Sequence, residues 1–514
     1  MKSDLSMSNN ANNKRIAKNT LMLYVRMFLM MAVTLYTSRV ILQVLGVEDF
    51  GIYNIVGGVV TMLAFLNSSL NTATQRYMNF EMGRNNLQGV KDVFSVSFIS
   101  YCIIAIIVVI LSETVGLWFV YHKLVIPASR LSAAIWVFQF SILTFVVNLL
   151  TVPYNAAIIA YERMSIYAYV SIADVILRLL MVFLLQIVTA DKLILYAIMM
   201  FLVTVVVGLA YFIFCHRLFS ACRVRWTWNT RLMKGLFSFS GWMLSGTITN
   251  LLSTQGVNIL INVFFGPALN AARAIAVQVQ SAVNSFVANF LTATRPQIMQ
   301  SYAQGNTEYM NKLVFSASKF SFFLLFILSI SIFFNASLVL NIWLKHVPEY
   351  AALFTQLVLV DLWINAAYSP IAYVSQASGK IRNYQMAISV GFVLIAAFTW
   401  GAFKLGYPVY TTFIVSIVID ILGLFVRLWV LYNIVRFPVV GYLKKVLWPV
   451  VCLLALSLLF SYILELVFKP EHIYDFLVYT CICILFIGGL IWMIGLDKSE
   501  QNLLMKSLNK VIKH

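Results

Sequence analysis

The sequence predicts an all-α polytopic membrane protein of about fourteen transmembrane helices, and three observations predict it. Hydrophobic residues make up 61% of the 514-residue chain and charged residues 11%, against roughly 25% charge in a soluble domain. The apolar residues come in runs of about 20 or more, the length that crosses a hydrocarbon core of roughly 30 Å. The alternating pattern of a membrane β-barrel is missing, which leaves the helix as the spanning form that satisfies every backbone polar group.

In order, the spans are expected at 16–44, 50–79, 92–116, 131–158, 165–188, 193–215, 234–265, 268–298, 312–335, 350–378, 384–405, 408–434, 446–468 and 473–496. Several exceed the minimum length, which permits tilt or ends that project into water. Span three ("YCIIAIIVVIL") and spans thirteen and fourteen ("VCLLALSLLF", "TCICILFIGGLIW") are apolar all round and suit lipid. The polar leader "MKSDLSMSNNANNKR" has neither an apolar core nor a small-residue cleavage site, so no signal peptide is expected. The six cysteines fall in spans or at a cytoplasmic edge, form no metal-ligand spacing and are not expected to make disulfides.

The net charge of +18 raises the prospect of a nucleic-acid partner, but its distribution answers it. With the N-terminus inside, about 25 Lys and Arg fall in cytoplasmic segments and about 6 in outside loops. The inside set includes Lys14, Arg15 and Lys18, Arg217 to Lys234, Lys444 and Lys445, and Lys498 to Lys513. That bias accounts for the basicity without a polyanion, so no nucleic-acid partner is expected. With an even span count, it predicts a multi-pass protein with both termini in the cytoplasm.

One architecture is written twice. "NTATQRY" (Asn71 to Tyr77) and "LTATRPQ" (Leu291 to Gln297) repeat Thr-Ala-Thr at an offset of about 220. The same offset pairs Gly46 with Gly266, and an offset of about 217 pairs Pro153 with Pro370, each late in the fourth helix of its half. Six spans per half is an even number, so the halves enter the membrane in the same direction as a parallel repeat. The expected organisation is a cytoplasmic tail at 1–15, an N-lobe at 16–215 and a basic linker at 216–233. A C-lobe at 234–434, an extra helix pair at 444–497 and a basic tail at 498–514 complete it.

"TSRVILQVLGVEDFGIYNIVGGVVTMLAFLNSSLNTATQRYM" (Thr37 to Met78), the "PYNAAIIAYER" close of span four and the fourteen-span layout carry a resemblance. The chain resembles the bacterial polysaccharide exporters, the Wzx-type O-antigen and capsule flippases of the multidrug/oligosaccharidyl-lipid/polysaccharide superfamily. The resemblance implies a MATE-like fold of two six-helix lobes around a central cavity. It also implies a cargo of undecaprenyl-pyrophosphate-linked oligosaccharide turned from the inner to the outer leaflet, serving lipopolysaccharide, capsule or exopolysaccharide synthesis. The partners expected are this cargo, membrane lipids and the polysaccharide polymerase and export machinery, with the protein itself a monomer.

The polar residues within spans are candidates for the site. Asn250, Thr254, Asn258 and Asn262 recur every four residues on one face of span seven, and Arg273, Gln280 and Asn284 share a face of span eight. Interhelical hydrogen bonding explains any one of them, at roughly 0.6 kcal/mol each. The combined faces exceed what such bonding needs and are expected to line a wet cavity. On span two, Arg76 near the cytoplasmic end reads as a snorkelling anchor.

Besides Arg76 and Arg295 at the inner ends of spans two and eight, five arginines fall within spans: Arg26, Arg39, Arg178, Arg273 and Arg427. Arg26 is close enough to the cytoplasm either to snorkel or to serve the site. Arg39 and Arg273 lie near the outer ends of spans one and eight, where a planar, permanently charged fork suits a pyrophosphate. Lipid II flippases of the resembled superfamily also place arginines on these two spans; interfacial anchoring is the alternative. Asp174 and Arg178, four apart, are expected to neutralise one another. Asp420 and Arg427, roughly 10.5 Å apart along span twelve, are expected to be too far apart for contact. Asp361 has no partner expected on its own helix, and such a carboxylate invites coupling to H+ or Na+. Asp361, Asp420 and Asp174 are therefore the ion-coupling candidates, with no other cofactor expected.

Two rivals are weighed. A multidrug exporter of organic cations should favour acids within its spans, whereas the in-span arginines here equal or outnumber them. A polymerase or ligase needs an outside loop to hold acceptor and catalytic groups, and the outside segments are short. No Walker loop or H-E-x-x-H is present, so neither an ATPase nor an enzyme is expected.

Overall fold

The computed structural model describes residues 19–33, 36–37, 40–41, 44–46, 49, 51–53, 56–57, 65–122, 124, 126–188, 190–227, 229–344, 347–498, 500–501 and 505. The described chain is all-helical. In order it forms α1 (Asn19–Val33), α2 (Phe65–Gly83), α3 (Leu87–Leu111), α4 (Leu131–Ala160), α5 (Met164–Ile187), α6 (Lys192–Leu218) and α7 (Thr230–Phe265). There follow α8 (Pro267–Ala303), α9 (Thr307–Phe334), α10 (Ala351–Tyr368), α11 (Arg382–Lys404), α12 (Thr411–Val435), α13 (Trp448–Val467) and α14 (Ile473–Leu490). Among the described residues, 12 helices are long and apolar enough to cross a membrane, Leu87–His122 through Ile473–Gly495. The expected spans 16–44 and 50–79 lie partly outside the described residues; α1 and α2 are their longest described stretches.

These helices are apolar on faces that a soluble protein would bury. Leu202, Val206 and Leu209 on α6 and Leu459, Ile463 and Leu466 on α13 are all exposed, a surface suited to hydrocarbon. Helix starts are set by polar caps. Asn86 accepts from the Gly89 N–H at the start of α3, Asn306 from Tyr309 at the start of α9, and Asp191 from Leu193 and Ile194 at the start of α6.

The contacts divide the chain into two compact units. One comprises Met1–Leu244 with Met299–Gly305, the other Ser245–Ile298 with Asn306–His514. In the first unit α4 is the hub, packed along α6 and against α2 and α3. The last turns of α8 belong to this unit: Gln300 Nε2 donates to Asn79 Oδ1 on α2 and to the Ala160 carbonyl at the end of α4, each at 3.2 Å. In the second unit α9 and α10 pack together, α12 lies against α10 and α11, and α9 carries α13 and α14.

The internal repeat is written in the backbone as well as in the letters. Gly46 and Gly266 both take left-handed φ values, 78° and 86°. Asn85 (55°) and Gly305 (75°) do so at the same offset, each just before a capping asparagine. Glu162 (56°) and Gly379 (75°) repeat the conformation at the offset of the proline pair. Left-handed backbone is uncommon outside glycine, so its recurrence at three matched turns marks equivalent corners of a duplicated plan. Thr72 and Thr292 also bond alike, each to the carbonyl four residues back at 2.9 and 2.8 Å. The proline pair differs. Pro153 lies inside the continuous α4, whereas the expected span 350–378 breaks after Tyr368 and resumes as a short helix, Ile371–Ser378, led by Pro370.

Arg76 corrects its sequence reading. It is 8% exposed, with its guanidinium over the rings of Tyr77 (4.5 Å) and Phe80 (5.1 Å), so it packs among aromatics and does not snorkel.

Two ionic clasps brace the units. At one end of the first unit Arg130 donates to both carboxylate oxygens of Asp49, through Nε at 2.8 Å and through Nη2, and from Nη1 to Asp191 Oδ2 at 2.7 Å. Partial burial raises the Asp191 carboxyl, but the Arg130 bond and the Ile194 and Leu193 N–H groups outweigh it, holding Asp191 below its ordinary 3.8. A depressed carboxyl contributes stability that is present above its unfolded pKa and is lost as pH falls through the folded one. Arg130→Ala should therefore destabilise the detergent-solubilised protein by about 1–2 kcal/mol. That deficit should stay constant from about pH 8 to 5 and shrink only below about pH 4. Thermal unfolding across that range checks it.

In the second unit Lys319 of α9, 2% exposed, meets Glu500 at 2.6 Å and Asp497 at 3.4 Å; Ser316 also donates to Glu500, at 2.7 Å. The clasp ties the segment after α14 to α9. Removing one member of a buried pair strands the other charge. Glu500→Ala should cost about 3 kcal/mol, and adding Lys319→Met should recover much of it. A double-mutant cycle in thermal unfolding measures this.

Candidate functional site

Two polar constellations lie within candidate membrane spans of the second unit. The first joins α7 and α8. Arg273 of α8 is half-buried, and its Nη1 donates to Asn258 Oδ1 on α7. Asn270 Nδ2 donates to the Asn258 carbonyl, and Asn258 Nδ2 to Gln255 Oε1, both at 3.1 Å. Asn258 therefore holds Arg273 in place. Arg273 Nε is buried and has no hydrogen-bond partner among the described residues.

The rest of the two stripes divides by exposure. Asn262 and Asn284 are exposed and Gln280 is half-buried, and their side chains make no hydrogen bond among the described residues. Asn250 is also exposed. Helix-to-helix bonding thus explains Asn258, while the other amides keep their donors and acceptors available.

The second constellation lies between α10 and α12. Asp361, Asn365 and Tyr368 follow one face of α10 at helical spacing. Asn365 Nδ2 donates to Asp361 Oδ2 at 3.3 Å and to Asp420 Oδ2 at 3.1 Å. Tyr368 donates its hydroxyl to Asp420 Oδ1 at 3.0 Å. Arg427 Nη2 stands 3.7 Å from Asp420 Oδ1, with its guanidinium over the Tyr368 ring at 4.3 Å. Asp361 Oδ1 and Arg427 Nη1 are buried and find no hydrogen-bond partner among the described residues.

This geometry corrects two expectations. Asp361 does have a same-helix partner, Asn365. Asp420 and Arg427 do meet, because the long arginine side chain spans the two turns that helix rise alone places between them. Asn365 and Tyr368 were missed, although their four- and seven-residue spacing from Asp361 is visible in "DLWINAAY".

In the first unit, Asp174 accepts from Arg178 Nε at 2.9 Å, the expected pair. Arg26 of α1 lies over the Tyr167 ring of α5 at 4.4 Å, with Nε buried and without a hydrogen-bond partner among the described residues. Arg39 lies outside the described residues. No group of three or more His, Cys, Asp or Glu that could hold a metal ion occurs among the described residues.

A family of polysaccharide biosynthesis proteins matches residues 40–346, more than half of the chain. The chain belongs to that family. Among solved structures, a crystal structure of a MATE mutant is similar over 84% of this chain and 97% of its own, with TM-score 0.70 and 13% identity. An outward-facing multidrug resistance MATE family transporter of the MOP superfamily covers 83% of this chain and 97% of its own, with TM-score 0.66 and 14% identity. A Vibrio cholerae MATE transporter mutant covers the same shares, with TM-score 0.63 and 15% identity. Among curated proteins none matches the chain. This member of the polysaccharide biosynthesis family therefore has the MATE fold.

Proposed function

We propose that this protein is a flippase that carries undecaprenyl-pyrophosphate-linked oligosaccharide from the inner to the outer leaflet by alternating access. The observation that carries the reading is Arg273, a guanidinium within a candidate membrane span with its position set by a neutral amide. No carboxylate neutralises it among the described contacts, so its charge remains available to an anion. A guanidinium fork matches phosphate oxygens and keeps its charge at every physiological pH. The available amides of Asn262, Gln280 and Asn284 suit sugar hydroxyls, and membership of a polysaccharide biosynthesis family supports a saccharide cargo. Arg26 and Arg39 belong to the same proposal as further phosphate partners.

The α10–α12 constellation supplies the energetic bias. It holds two carboxylates for one guanidinium, so a further cation, H+ or Na+, completes its charge. Asp174, already paired with Arg178, is the weakest of the three coupling candidates. A bound ion drives transport only through different affinities for two states of the protein.

A multidrug exporter is the second reading, favoured by the excess acid at Asp361. Deleting the gene and measuring lipid-linked oligosaccharide on each leaflet separates the two. Accumulation on the inner leaflet supports flipping. Normal export with new sensitivity to cationic drugs overturns it.

A further inference from the structure

The segment that leads into α13 reaches the α10–α12 constellation through one hydroxyl. Val439–Tyr442 form a short helix, and Leu443–Leu447 form a wide π turn that runs on into α13. Tyr442 is fully buried, its ring edge-on to Phe315 of α9 at 5.6 Å and tilted against Phe437 at 5.8 Å. Its hydroxyl donates to the Ala367 carbonyl of α10 at 2.6 Å and stands 3.3 Å from Ser318 Oγ of α9. A buried phenol needs a partner for its O–H, and this one takes it from the backbone of another helix.

The acceptor sits at the weak point of α10. Pro370 has no N–H to give the Ala366 carbonyl, so the helix ends at Tyr368 and restarts at Ile371. The Ala367 carbonyl and the nitrogen and Cα of Tyr368 share one rigid peptide plane. The bond from Tyr442 therefore fixes the backbone from which the Tyr368 side chain projects. That side chain donates to Asp420 Oδ1 at 3.0 Å and lies under the Arg427 guanidinium.

The α13–α14 pair is itself pinned to α9. Lys319, the neighbour of Ser318, meets Glu500 beyond α14. Gly495 closes a second π turn, Ile491–Gly495, so near α9 that a Cβ there would meet the Phe323 ring at 2.6 Å. Such turns are rare and recur at functional sites.

We infer that Tyr442 is a positioning residue for ion coupling: its hydroxyl holds the end of α10 so that Tyr368 and Asp420 are set for the coupling cation. The inference rests on the reading of the α10–α12 constellation as the coupling site. The groups concerned are Asp361 and Tyr368 of α10, Asp420 and Arg427 of α12, and the Lys319–Glu500 pair on α9. Tyr384 of α11, a buried phenol within electrostatic range of both Tyr442 and Arg427, completes them. A hydroxyl that merely satisfied a stray carbonyl would contribute stability and leave ion affinity alone.

Thermal unfolding of the detergent-purified full-length protein separates the two roles. The protein is titrated with NaCl against choline chloride, and with protons in choline chloride alone. An ion that binds the folded state raises the unfolding temperature by mass action, so the titration reports affinity and the ion-free value reports stability. Tyr442→Phe keeps the ring contacts and should raise the half-saturating ion concentration about five-fold, the scale of one net hydrogen bond. Ser318→Ala, which leaves the bond to α10 in place, should not move it. Tyr368→Phe should shift it in the same direction, and Tyr442→Phe/Tyr368→Phe should shift it no further than Tyr368→Phe alone. The inference is overturned if Tyr442→Phe lowers only the ion-free stability, fails to fold, or adds its shift to that of Tyr368→Phe. A wild-type protein indifferent to both ions would overturn the coupling reading and this inference with it. A wild type that responds beside an unchanged Tyr442→Phe overturns the inference alone.

Discussion

Arg273→Ala is expected to abolish surface polysaccharide export in a deletion strain while protein abundance stays near wild type. The side chain contributes little to the fold: among the described residues it makes one hydrogen bond, to Asn258, and it is half-buried. Its loss removes the guanidinium proposed to replace water around a diphosphate. A hydrogen bond to a charged group contributes about 1.5–3 kcal/mol, or roughly 10–100-fold in affinity. Two phosphates gripped by one fork put the loss at the upper end of that range. Arg273→Lys keeps the charge without the planar fork, so an intermediate rate is expected. Asn258→Ala frees the guanidinium without removing it and should cost less than either. Lipid-linked oligosaccharide export, normalised to immunoblotted protein, measures all three. Wild-type export by Arg273→Ala would remove the site proposal.

Asp361→Asn and Asp420→Asn should fail in different ways, and the difference is the second prediction. Asp361 contacts no cation among the described residues; its carboxyl accepts from Asn365, a bond that an asparagine oxygen can also accept. Asp361→Asn should therefore fold normally and lose the response of transport to an imposed proton or sodium gradient. Asp420 is the counter-ion of Arg427, which is 9% exposed, and also accepts from Tyr368 and Asn365. Asp420→Asn strands a buried guanidinium, at a cost of about 3–5 kcal/mol, and should lower abundance as well as transport. Proteoliposome transport under each gradient, together with thermal unfolding, distinguishes the two. An Asp361→Asn protein that responds like wild type would exclude Asp361 from coupling, and an Asp420→Asn protein of wild-type stability would show that the ion pair carries no load.

Much of the candidate site was legible because helical spacing is a one-dimensional property. Arg273 with Gln280 and Asn284, and Asp174 with Arg178, can be placed on common faces from residue numbers alone. What spacing did not reveal was how far side chains reach and which neighbouring helix they meet. Asp420 and Arg427 looked too distant because only helix rise was counted, and Tyr368, which both bonds Asp420 and underlies Arg427, comes from another helix. Arg76 looked like a snorkelling anchor until the rings around it were seen. The repeat was legible in Gly46 and Gly266, but its matched corner at Asn85 and Gly305 was hidden, because two different residue types adopt the same left-handed conformation.

The sequence by itself determined the membrane class, the helical form, the approximate spans and the duplicated plan. Those follow from runs of apolar residues and from the need to satisfy backbone polar groups in hydrocarbon, which are local properties of the chain. Only the tertiary structure decided that Asn258 holds Arg273, that Asp361 and Asp420 share Asn365, and that Lys319 is neutralised by a segment about 180 residues away. Those pairings depend on which helices pack together. A charge buried at low dielectric accepts whatever partner packing brings within reach, and residue spacing along the chain carries no record of that choice.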